Sequence, residues 1–147
     1  MTSERGLVLQ VVFGMEDPRV HHPIISVGPV TFGPLLLKAV KRTPNAKAEL
    51  LHFSGSSQGD DLSRFMEETN TFADISRLEG NGAVGRMIGS VRGLDSAHVP
   101  VDRILFGSHA PYFSLETAVL KLIESPLDAQ QLQAIMQGNA HRLLPPA

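Results

Sequence analysis

The stretch Arg103-Ile104-Leu105-Phe106-Gly107-Ser108-His109-Ala110-Pro111 opens on a charge, runs through three apolar residues, breaks at glycine and then presents an imidazole. Short apolar runs of this kind suit strands covered on both faces, as in parallel sheets. In such sheets chemistry gathers just past the carboxyl ends of the strands. His109 falls at such a position.

Working outward, the same alternation recurs. Strands are expected near residues 7–13, 48–53, 71–75 and 103–107. Pro34 sits early and Lys41 and Arg42 late in an apolar stretch, which reads as a helix between the first two strands. Leu62, Phe65 and Met66 recur at helical spacing, with Asp60 placed to cap. Val84, Met87, Ile88 and Val91 do the same, with Gly93 fitting the end. Ser114 is placed to cap a helix carrying Leu115, Ala118, Val119, Leu122 and Ile123. Ser125 and Asp128 stand at capping-box spacing before a last helix that Gly138 interrupts. Strands alternating with helices mean βαβ units and one parallel sheet. Periodicity alone leaves open whether that sheet is open or belongs to a barrel.

Composition narrows the function. Of 147 residues, 42% are hydrophobic and 19% charged, the balance of a globular domain. A formal net charge of −2 gives no footprint for nucleic acid or an anionic membrane. The absence of cysteine excludes disulfides, thiolate metal sites and a cysteine nucleophile, and suits the cytoplasm. Leu7 to Phe13 is too short to span a bilayer, and no targeting signal is read at the N-terminus.

His52, Asp74 and His109 each lie at or just past an expected strand end. Imidazole and carboxylate suit zinc or a similar ion, and they also move protons near neutral pH. The plainer reading is a polar residue hydrogen-bonding at a strand end. Glu16-Asp17 and His21-His22 form a second cluster in the first long loop, spaced to share a metal or simply to sit in solvent. Gly80-Asn81-Gly82-Ala83-Val84-Gly85 spells a dinucleotide-type G-x-G-x-x-G. It follows the third strand rather than the first, lacks a tight turn, and has no acidic residue at the next strand end. Ser108 is not in a G-x-S-x-G elbow.

The corner at 103–111, followed by a helix and then Asn139-Ala140-His141-Arg142-Leu143-Leu144, resembles the end of the amidohydrolase-related barrels, the aminocarboxymuconate-semialdehyde decarboxylase-like branch included. In that family the last strand reads FGSD-x-P and the chain closes on an NA-x-R-L helix. The likeness is strongest over residues 103–144 and loosest before residue 48. It implies an α/β fold, the C-terminal half of a TIM (β/α)8 barrel with four parallel strand–helix units. It implies a metal-dependent hydrolase or decarboxylase acting on a small molecule through a metal-activated water. His52 then matches the sixth-strand histidine, with His52 and His109 as metal ligands, zinc as the ion, and Asp74 orienting the groups. Three departures stand out: His109 replaces the family's aspartate, no His-x-His occurs anywhere, and Gln10-Val11-Val12 offers no histidine where the family's fifth strand brings one. A full barrel has eight strands. Two further readings follow: a non-catalytic half-barrel that assembles with itself or with a separate N-terminal half, and a nucleotide-binding α/β module.

Overall fold

The computed structural model describes residues 6–13, 24, 34–43, 45–53, 60–78, 82–89 and 99–145. Four strands form one parallel sheet in sequential order: β1 (Val8–Val12), β2 (Lys47–Leu51), β3 (Thr71–Asp74) and β4 (Ile104–Leu105). Leu9 pairs with Ala48, Ala48 with Thr71, and Ala73 with Ile104. Each parallel step needs a crossover, and helices supply them: α1 (Pro34–Lys41), α2 (Asp60–Glu68) and α3 (Ala83–Met87). After β4 come α4 (Leu115–Ile123), α5 (Ala129–Gln133), a π-helical turn (Ala134–Gly138) and α6 (Asn139–Leu143).

Side chains alternate across a strand, so register decides which residues share a face. Leu50, Ala73 and Ile104 point into a core completed by Val40, Leu62, Phe65, Met66, Val84, Leu122 and Ile135 from the helices. The in-register residues Gln10, Glu49 and Phe72 belong to the other face. There Gln10 Nε2 donates to Glu49 Oε2 at 2.9 Å, and the Arg103 guanidinium lies 5.9 Å from the Phe72 ring centre.

Four local expectations change. The helix with Val84 and Met87 stops at Ile88, and Gly89 (φ 71°) takes the left-handed position expected of Gly93. The capping box is made by Asp128 and Gln131, while Ser125 Oγ donates back to Lys121 O at 2.8 Å and finishes α4. Helix α2 begins at Asp60 itself rather than after it. The expected cap at Ser114 is present, its hydroxyl accepting from Thr117 N–H. Gly138 marks a π-helical turn, not a break.

That turn has a purpose in the packing. It moves the Asn139 N–H onto Ala134 O. Ile135 O then accepts from Phe106 N–H at 3.1 Å. Asn139, fully buried, donates through Nδ2 to Val101 O and Ile104 O. Leu105 faces β3, where its carbonyl accepts from Ile75 N–H. The outward groups of Ile104 and Phe106 are therefore satisfied by the chain's own last segment. Arg142 reaches Asp102 O and the Asn139 side chain, and Lys47 Nζ reaches Leu143 O, so α6 is fastened across the amino-terminal end of the sheet. The polar residues of the NA-x-R-L motif thus act at the end opposite the strand-end histidines.

Candidate functional site

Among the described residues, three non-glycine residues have positive φ: His52 (57°), Arg77 (57°) and His109 (56°). They follow β2, β3 and β4 in turn. Left-handed backbone is costly for residues with a Cβ and gathers at functional sites. Each bend follows a strand that the core holds in place, so the strand end directs its polar side chain.

The bends bring His52 and His109 into contact, with ring centres 4.1 Å apart and planes 84° apart. Tyr112 stacks on His109 at 5.2 Å and Phe113 lies tilted beside it at 5.6 Å. Beneath them, Asp74 is only 6% exposed. His52 N–H donates to Asp74 Oδ1 at 3.4 Å, which ties the β2 bend to the end of β3. Burial raises the Asp74 carboxyl from 3.8 to about 6, against the opposing influence of Ser76, the His52 N–H and the His52 ring. Ser76 Oγ is buried without a hydrogen bond of good geometry, yet its hydroxyl lies close enough to favour the ionised carboxylate. His109 holds its proton more weakly than an ordinary histidine, because of burial first, then the His52 ring and Arg77.

Gly107 explains why the corner reads Gly-Ser-His. A Cβ there would stand 2.5 Å from Asp74 Oδ2 and 3.2 Å from Ser76 Cβ. The glycine makes room for the carboxylate. Sequence reasoning saw Gly107 only as the end of a strand, because its neighbour across β3–β4 is set by register.

The three residues singled out from sequence therefore meet at one end of the sheet. Glu16, Asp17, His21 and His22 lie outside the described residues, as do Gly80 and Asn81. Among the described residues, no group of three or more histidine, cysteine, aspartate or glutamate side chains is placed to hold a metal ion. A catalytic zinc takes three protein ligands. The described residues bring two imidazoles together and, by themselves, do not fit a complete metal centre. Gly82 takes a left-handed conformation (φ 64°) before α3, in which Gly85 is buried. No described helix is long and apolar enough to cross a membrane.

No family model and no curated protein matches the sequence. Solved structures do match. The 2,6-dihydroxybenzoate decarboxylase of Rhizobium aligns with a TM-score of 0.62 at 14% identity, over 97% of this chain and 52% of its own. The 5-carboxyvanillate decarboxylase of Sphingomonas paucimobilis aligns at 0.56 and 17%, over 77% and 38%. The dihydroxybenzoic acid decarboxylase of Polaromonas, whose structure holds manganese and 2-nitroresorcinol, aligns at 0.53 and 15%, over 73% and 37%. The chain spans roughly 37 to 52% of the length of these relatives. In fold, the chain matches about half of each of these structures: four parallel strands alternating with helices, which fits half of a TIM-type barrel.

Proposed function

We propose that the chain carries the acid–base part of a small-molecule hydrolase or decarboxylase site, built from His52, Asp74 and His109. The observation that carries this reading is the contact of the two imidazoles over a buried carboxylate at the strand ends. His109 resists protonation, so it is neutral and ready to take a proton near pH 7. In hydrolysis that proton comes from an attacking water; in decarboxylation it would come from water or a substrate hydroxyl and pass through the imidazole to the carbon as its bond to the departing carbon dioxide breaks. Asp74 holds His52 through its N–H and is a positioning residue. A divalent ion would supply Lewis-acid chemistry in this reading, with donors beyond the two imidazoles coming from outside the described residues. Manganese in the Polaromonas enzyme makes it the first ion to test, beside the zinc expected from sequence. The test is turnover of dihydroxybenzoates and 5-carboxyvanillate with either ion added. His109→Ala should lower the rate by about 10²–10⁴-fold, the usual worth of a general acid or base. Turnover unchanged in both His52→Ala and His109→Ala removes the reading.

A second reading is supported by the exposure of Leu9 on β1, of Leu7 just before it, and of Leu115 and Ile123 on α4. A second copy, or a separate N-terminal half, would cover them by packing along β1 and α4. The outer groups of β4 at Ile104 and Phe106 already have partners, so strand pairing with another chain would fall on β1.

A further inference from the structure

An imidazole that moves a proton must be held in the plane where it meets its partner. A hydrogen bond to one ring nitrogen usually does this. Among the described residues no hydrogen bond reaches the His109 ring. The torsion that turns an imidazole is broad, so rotamer preference leaves the plane open as well. What touches the ring among the described residues is three other rings. His52 meets it at 84°, Phe113 is tilted at 45°, and Tyr112 is the one stacked on it, at 28° and 5.2 Å. A near-parallel neighbour restricts rotation most, because turning the imidazole drives its edge into the neighbour's face.

The backbone fixes this stack. Tyr112 N–H and Phe113 N–H both donate to His109 O, at 3.0 and 3.3 Å, which winds the segment after His109 into one turn. Residues three apart on such a turn are neighbours, so the Tyr112 ring comes to lie against that of His109. Tyr112 is otherwise 81% exposed and adds nothing to the core. Removing its ring therefore tests the contact with His109 and not the fold.

We infer that Tyr112 is a positioning residue whose stack holds the His109 imidazole in edge-to-face contact with His52. Its consequence for turnover rests on the acid–base reading, while the ring geometry is measured without turnover. A stack needs the flat aromatic face and not the phenol hydroxyl, so phenylalanine should replace tyrosine and a small side chain should not.

NMR of the full chain with labelled histidines reads the nuclear Overhauser effect between the His52 and His109 ring protons. Tyr112→Phe should keep it within about twofold of the parent, and Tyr112→Ala should weaken it at least about threefold, the range of an aromatic pair. The His109 ring-proton shifts should move in Tyr112→Ala as the tyrosine ring current is lost, while the Leu62 and Asn139 amides stay in place. With a substrate in hand, kcat should fall at least about fivefold in Tyr112→Ala at unchanged KM and recover in Tyr112→Phe, as expected for a misplaced group. An undiminished effect in Tyr112→Ala overturns the inference, as does an equal loss in Tyr112→Phe. Should Tyr112→Ala disturb the distant amides, Tyr112→Leu, which keeps bulk without a flat face, is judged by the same outcomes. Turnover unchanged in His109→Ala sinks the acid–base reading alone, and the ring-proton contact still decides the role of Tyr112.

Discussion

Asp74 and Gly107 form one unit. A methyl at Gly107 would have to displace a buried carboxylate, so Gly107→Ala should cost about 1–3 kcal/mol, the usual cost of overpacking. Asp74→Ala should cost less in the Gly107→Ala background than in the parent, and denaturant unfolding of the four variants measures the coupling. A cost that simply adds would refute the contact. The raised carboxyl also makes stability depend on pH. Between 3.8 and about 6 the folded state holds the Asp74 proton while the unfolded chain has lost it. Stability from this group is thus complete below 3.8 and declines by roughly 3 kcal/mol as pH rises through 6. His109 works in the opposite sense: its contribution is present above the ordinary histidine range and lost as pH falls. Asp74→Asn should therefore lose the decline between pH 4 and 6 and be the more stable protein at pH 7. Superposable stability curves for the two would remove the assignment. Both residues could be read as strand-end positions, but their contact could not, because it depends on how β3 and β4 are registered.

At the scale of elements, the segment from α5 to α6 locks β4. Asn139→Ala would leave Val101 O and Ile104 O without their shared donor inside the protein. Leaving a buried carbonyl unsatisfied costs about 1–3 kcal/mol, so a loss of roughly 2–4 kcal/mol is expected by thermal or denaturant unfolding. A loss below about 0.5 kcal/mol would show that water or Arg142 replaces the amide. The apolar periodicity made α1, α2 and α4 legible, and Ser114 announced its cap. The π-helical turn was not legible beyond a glycine at the right place. Nothing local distinguishes Asn139 as a ligand of strand carbonyls from Asn139 as part of an active-site motif. Only its position under β4 does so.

For the whole molecule, four parallel strands make half a barrel, and the two sheet edges differ. A four-stranded parallel sheet has two edges that invite pairing. In the fold, Ile104 on β4 and Phe106 just after it bond to Asn139 and to the turn at Ile135, while Leu7 and Leu9, just before and on β1, are exposed. If the half-barrel assembles, analytical ultracentrifugation should show a dimer, and Leu9→Lys should shift it toward monomer with little change in monomer stability. A monomer throughout the micromolar range would remove self-assembly and leave a separate N-terminal half as the partner to seek.

Alternation of strands and helices, the helix faces, the freedom from cysteine and the strand-end places of His52, Asp74 and His109 were determined by the sequence alone, because periodicity and residue chemistry are local. Tertiary structure decided which of these residues meet. It set the two imidazoles edge to face and buried Asp74 until its carboxyl titrates near 6. It also made Gly107 necessary and turned the closing motif into a clamp on β4. Each of those outcomes depends on register and burial between residues far apart in the chain, quantities that no local pattern encodes.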